Sequence, residues 1–131
     1  KPSPIQKKLM DEGLLGRKSG RGYFDYSESA VNPEPNKDKK LGKKIFNRIL
    51  TMLINAAVDA LNGAIATRDD IDTAMTTGVN YPKGLLKWAD DIGLNAPLSQ
   101  LKDFHTQSGD DRYIASPLLE KMVEDNSTFY A

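Results

Sequence analysis

Apolar positions fall differently in the two parts of this chain. From Ile45 onward they return at helical intervals. Ile45, Phe46, Ile49, Leu50, Leu53, Ile54, Ala57, Val58 and Leu61 form a broad stripe that predicts one long buried-face helix ending near Gly63. Before it, apolar residues come in short patches. Ile5, Leu9 and Met10 share one face of a predicted short helix. Ser3 suits its cap, Pro4 its first turn and Gly13 its end. Residues 27–44, SESAVNPEPNKDKKLGKK, have no apolar period and contain prolines, so they predict a linker.

Beyond the long helix the pattern stays helical. Thr67 opens TRDDID as a hydroxyl cap, with Asp69, Asp70 and Asp72 in the first turns, where the helix dipole favours carboxylates. That helix is predicted to run through Ala74 and Met75 to Gly78. GVNYPKG (78–84) reads as a turn. Leu85, Leu86, Trp88, Ala89 and Ile92 predict a helix stopped by Gly93, with Trp88 in the core. Asn95 with Pro97 starts another, carrying Leu98, Leu101 and Phe104. Ser116-Pro117 starts the last, with Leu118, Leu119, Met122 and Val123 inward. No stretch alternates as a strand does, so the fold class is all-α.

One pattern occurs twice. PSPIQKKLMDEG (2–13) and ASPLLEKMVEDN (115–126) share Ser, Pro and Lys in register, and most other pairs are close swaps. At face value these are the last helices of two tandem units. The first unit is then present only as its end, and a chain opening on Lys1 reads as a piece of a longer protein.

Composition narrows the chemistry. The chain of 131 residues has no cysteine and one histidine, His105. That excludes disulfides, a thiol nucleophile and thiolate metal sites, and leaves little for a histidine site. A cytoplasmic location is the expectation. No apolar run is long enough to span a membrane. Net charge is zero, yet residues 1–44 carry 11 Lys and Arg against 6 Asp and Glu, and residues 45–131 carry 7 against 12. The basic run KDKKLGKK (37–44) lacks interleaved aromatics, so neither nucleic acid nor membrane is expected as a partner. A solvated linker or the basic end of a helix accounts for it. The aspartates 69, 70 and 72 lack the calcium-loop pattern, and no metal is expected.

Several segments together carry a resemblance. GLLGRKSGRGYFDY, FNRILTMLINAAVDALNGAIATRDDIDTAM, GVNYPKGLLKWADDIGL and RYIASPLLEKMV resemble the C-terminal helical domain of the 3-hydroxyacyl-CoA dehydrogenases, over about residues 2–26 and 45–124. The resemblance implies a bundle of the 6-phosphogluconate dehydrogenase C-terminal-like type, with about five to six helices. It implies residues 1–26 as the last helix and tail of a preceding helical repeat, 27–44 as a linker, and 45–131 as the C-terminal repeat. In the family, a Rossmann domain binds NAD, and the 3-hydroxyl of a 3-hydroxyacyl-CoA is oxidised by hydride transfer. The implied setting is fatty-acid β-oxidation or related acyl-CoA metabolism, with 3-hydroxybutyryl-CoA or similar chains as substrate. The family's catalytic His–Glu pair lies in that Rossmann domain, so His105 takes no catalytic role. The implied partners are the Rossmann domain, the first helical repeat, the acyl-CoA and a second subunit in a homodimer.

Of the family's site positions, Asn47 in the N-R pair matches an asparagine near substrate. Its amide would donate to a thioester or hydroxyl oxygen. Two positions depart from the family pattern: Leu85 replaces a usual Pro after Y-P-x-G, and Ala56 replaces a frequent acid. Gly16, Gly20 and Gly22 lack dinucleotide-loop spacing and follow a helix, so NAD is expected from the missing domain and not from this chain. LLGRKSGRGYFDY (14–26) keeps two readings. Arg17, Lys18 and Arg21, with Arg48, are candidates for the edge of a CoA site, where backbone N–H groups would help bind phosphate. The favoured reading is structural, with glycines making tight turns and Tyr23, Phe24 and Tyr26 packing on helices. On its own this piece is expected to support dimerisation or repeat packing and to buttress the cleft, without turnover. A stand-alone helical dimerisation module is the alternative.

Overall fold

The computed structural model describes residues 2–130 and divides into two compact units, Lys1–Lys37 and Asp38–Ala131. Six α-helices and no strand occur among the described residues, as the pattern predicts.

The first unit holds one regular helix, α1 (Pro4–Asp11). Ser3 Oγ accepts the Gln6 N–H at 3.1 Å, and the Gln6 side chain accepts the Ser3 N–H at 3.3 Å. This reciprocal box satisfies two amides that a bare helix start leaves unpaired. At the other end Gly13 takes φ +72°, and the Leu14 N–H reaches back to the Leu9 carbonyl at 2.8 Å. No residue of α1 is buried.

The second unit is built around α2 (Lys39–Asn62). On it pack α4 (Leu85–Ile92), α5 (Asn95–Ser108) and α6 (Pro117–Glu124), with α3 (Arg68–Thr73) beside α4. Leu50, Ile54, Ala57 and Val58 of α2 meet Ile71, Leu86, Ala89, Leu98, Leu101, Leu119 and Phe129 in one apolar core. Leu85, the departure from the family's Pro, is the first residue of α4 and is 3% exposed. Its side chain fills the core at a position where Pro would also fit the backbone. Ala56 lies on the exposed side of α2, so the acid it replaces is not needed for packing.

Three expectations change. The linker is shorter than 27–44: α2 starts at Lys39, with Asp38 accepting the Lys40 N–H at 2.8 Å. The missing apolar period in residues 39–44 reflects a solvated helix, not coil. The long stripe is not all core either. Ile45, Phe46 and Ile49 are about half exposed, because the core closes around α2 only from Leu50. Finally, the helix predicted to reach Gly78 ends at Thr73 and continues as a π-helical turn, Ala74–Gly78. There the Thr76 hydroxyl donates to the Asp72 carbonyl and the Thr77 hydroxyl to that of Thr73, drawing carbonyls away from the regular ladder.

Candidate functional site

The site begins with how α4 is held. Asp72 is not merely a first-turn carboxylate. It is buried, with Oδ1 accepting the Leu86 N–H at 2.8 Å and Oδ2 accepting the Lys87 N–H at 2.9 Å. It therefore caps α4 from another helix. The Tyr130 hydroxyl donates to Oδ2 at 2.9 Å. A Cβ at Gly84 would lie 2.2 Å from the Asp72 Cβ, so the glycine of YPKG makes room for this cap. Burial, and then the bond to Asp72, push the Tyr130 phenol up to about 12. Asp90 anchors the following segment by accepting the Phe129 and Tyr130 N–H groups at 2.9 and 2.8 Å. Arg68 closes the cluster, donating to the Phe129 carbonyl and lying 4.2 Å from the Tyr130 ring centroid. Three aspartates that read alike in sequence thus differ. Asp69 pairs with Arg68, Asp70 joins the Thr67 cap, and Asp72 is a buried cap of a second helix.

So held, α4 presents Trp88 to α2. The Trp88 and Phe46 ring centroids are 5.8 Å apart. Trp88 is therefore at the core's edge, not within it, because the core stops short of this part of α2. Two hollows share Phe46, Leu50 and Trp88. One, about 310 Å³, is lined also by Ile49, Leu53, Tyr81 and Pro82 and is almost wholly apolar. The other, about 220 Å³, adds Asn47, Thr51, Ile92, Ala96 and Gln100. Together they make a trough with an apolar arm and an amide-bearing arm. Thr51 Oγ1 donates to Gln100 Oε1 at 3.0 Å, which turns the Gln100 amide and leaves its N–H donors free. The Asn47 side chain makes no hydrogen bond among the described residues. Asn47, expected near substrate from its motif, lines the polar arm. Thr51, Gln100 and the Phe46–Trp88 wall were not legible in sequence, because they meet only through the packing of α2, α4 and α5.

Arg48, beside Asn47, points another way. Its Nε donates to the Tyr113 hydroxyl at 3.0 Å, and its guanidinium lies 5.0 Å from the Phe104 ring centroid. This fixes the rotation of α2 and so the direction of Asn47. His105 lies outside the trough, in a smaller hollow with Lys102, Tyr113 and Glu120.

In the first unit, the Gly16–Tyr26 loop is knotted on itself. Ser19 Oγ accepts the Leu15 N–H at 2.7 Å and donates to the Arg21 carbonyl at 2.9 Å. The Gly16, Gly20, Gly22 and Tyr26 N–H groups donate to carbonyls within the loop. Gly16 and Gly20 take φ near +80°, and a Cβ at Gly22 would meet Gly16 at 2.8 Å. Those amides are therefore not offered to a phosphate. Arg17 stacks 5.0 Å from the Tyr26 ring centroid, while Lys18 and Arg21 are exposed. Tyr23, Phe24 and Tyr26 remain substantially exposed and line an open hollow with Leu9 and Met10. The residues present do not fit a dinucleotide: the glycines close a loop after α1 and do not open a helix after a strand.

Comparison with known proteins adds the family context. Residues 45–128 match the model of the 3-hydroxyacyl-CoA dehydrogenase C-terminal domain. A 3-hydroxybutyryl-CoA dehydrogenase from Clostridioides difficile is 33% identical over 95% of this chain and 45% of its own. One from Bradyrhizobium diazoefficiens is 41% identical over 93% of this chain and 43% of its own. The crystal structure of 3-hydroxybutyryl-CoA dehydrogenase from Escherichia coli K12 superposes on 96% of this chain and 45% of its own, with a TM-score of 0.68 and 24% identity, which speaks for the fold. The chain thus spans less than half the length of these relatives.

Proposed function

The chain belongs to the 3-hydroxyacyl-CoA dehydrogenase C-terminal domain family, and from that premise we propose that it serves as the helical part of an NAD-dependent 3-hydroxyacyl-CoA dehydrogenase in a cytoplasmic setting. Its substrate would be 3-hydroxybutyryl-CoA or a similar short chain, the class named for its relatives. The observation that carries this reading is Asn47. It belongs to the matched N-R pair and stands with an unpaired amide at the polar arm of the trough. There the amide would donate to the thioester or hydroxyl oxygen of the acyl group and orient it. NAD, supplied by a Rossmann domain, would take the hydride. This chain's part is to form one wall of the cleft, to keep water from the acyl group with Phe46 and Trp88, and to pair with a preceding repeat or a second subunit.

The test is a fusion. The NAD-binding domain of the Clostridioides difficile relative is joined ahead of this chain, and the product is weighed by light scattering and assayed for NADH oxidation with acetoacetyl-CoA. A dimer that turns over is expected, with Asn47→Ala lowering kcat about a hundredfold. A dimer without turnover would leave a dimerisation module alone. A monomer without turnover would sink both readings.

A further inference from the structure

The first part of α2 has a second apolar side. Leu41, Ile45 and Ile49 recur at four-residue spacing, with Phe46 at their edge, and all four are 40 to 54% exposed. At about 100° per residue they share one side of the helix, while the fully buried Ile54 and Val58 lie on the opposite side. The stripe therefore faces away from the core. Lys39, Lys40, Lys43 and Lys44 occupy the other side of the same turns. The core closes only from Leu50, so these lysines are solvated, and none forms an ion pair among the described residues. Two of them border the stripe. Lys39 stands on the line of Phe46, seven residues on, and Lys44 lies one turn from Leu41. No acid occurs in α2 before Asp59, which returns to the line of Leu41 after about five turns and closes the stripe.

We propose that this segment of α2 is a docking face for an anionic membrane surface. Apolar residues on one side and cations on the other, with long cationic side chains at the border, make a helix that lies in the plane of the interface. Leu41, Ile45 and Ile49 would enter the boundary between headgroups and acyl chains, with Phe46 at the edge. Lys39 and Lys44 would meet lipid phosphates. No helix among the described residues is long and apolar enough to cross a membrane, so the contact is with one leaflet. The basic run KDKKLGKK has no aromatic of its own. As a helix it gains Phe46, and its apolar face is completed by the residues that follow it. A second copy fits the stripe less well. Set antiparallel, Lys39 to Lys44 would lie over residues 50–55 of the other copy, which hold no acid, and set parallel, cation would meet cation. This surface goes beyond the dehydrogenase reading and needs neither turnover nor a second domain.

The 131-residue chain is sedimented with vesicles of phosphatidylcholine alone, and with vesicles of equal parts phosphatidylcholine and phosphatidylglycerol. Binding to the anionic vesicles is expected to be at least about tenfold stronger and to weaken as salt is raised. Ile45→Ser with Ile49→Ser is expected to weaken it by about tenfold with the charge unchanged. Lys39→Gln with Lys44→Gln is expected to weaken it by about tenfold or more, since each lysine near such a surface adds about fivefold. Lys7→Gln with Lys8→Gln in α1 is the charge control and should leave it unchanged. All six side chains are exposed, so the helical circular dichroism should not move. No sedimentation with the anionic vesicles, or equal binding to both compositions, would overturn the docking face. So would undiminished binding by the Ile45/Ile49 or the Lys39/Lys44 variant, or an equal loss in the Lys7/Lys8 control. A dimer in light scattering that the Ile45/Ile49 variant breaks, with no vesicle binding, would give the stripe to a second copy instead.

Discussion

The two echoed helices, α1 and α6, are the same local structure in different surroundings. Both follow a Ser-Pro start. Both end with the same pair of bonds: Glu12 to Lys8 and Leu14 to Leu9 in α1, Asp125 to Lys121 and Ser127 to Met122 in α6. Both then place a left-handed residue at the equivalent position, Gly13 and Asn126. Yet α1 buries nothing, while α6 buries Leu119 completely. The position equivalent to Leu119 is Gln6, which α1 uses in its own cap. The Ser116 N–H is likewise held from outside, donating to Asn55 Oδ1 at 2.8 Å, while Asn55 Nδ2 donates to the Ile114 carbonyl at 2.9 Å. Local pattern makes the helix and its ends, and the surroundings decide what holds it in place.

The largest expected split between the two helices is at Leu119 and Gln6. Leu119→Ala should cost the unit containing α2 about 3 kcal/mol, from lost burial and the cavity left behind. Gln6→Ala should change the main unfolding transition by less than about 0.5 kcal/mol. Chemical denaturation of both variants measures the pair, and equal losses would mean that α1 is as deeply committed as α6. Next comes the way each helix starts. Asn55→Ala removes both bonds that pin residues 114–116 and leaves the buried Ser116 amide unpaired, at about 2 kcal/mol. Ser3→Ala should cost at most about 1 kcal/mol, confined to α1. A large global effect of Ser3→Ala would break the contrast.

The smallest effect concerns the segment after α6. Tyr130 is held up to about 12, above its usual 10.0, by burial and then by Asp72. A phenol whose folded pKa is raised contributes stability fully below its unfolded pKa, and that stability is lost as pH rises from 10 toward 12. Tyrosinate absorbance should therefore show a late ionisation near 12 that Tyr130→Phe removes, at a stability cost of about 1 kcal/mol. An unchanged titration in the variant would assign the late step elsewhere.

Much of this was legible because it is local. The caps at Ser3 and Thr67, the stops at Gly13 and Gly93 and the starts at Asn95 and Ser116-Pro117 need only neighbouring residues to form. The family was legible because several of its motifs, the N-R pair among them, lie within short segments. The extent of α2 was misread at its start because a helix with no buried face leaves no apolar period to see. Asp72 looked like its neighbours because nothing in TRDDID records that its carboxylate meets the amides of a helix starting 13 residues later. The trough was hidden for the same reason, since Phe46, Trp88, Thr51 and Gln100 come from three helices.

By itself, then, the sequence determined an all-helical chain, most of its helix ends and the family, because periodicity, caps and motifs act over a few residues. Only the tertiary structure decided which part of the long stripe became core and which stayed half exposed beside Trp88, and which of three aspartates was buried. Those outcomes depend on where other helices stop against α2, and burial at a distance is not written in any one segment.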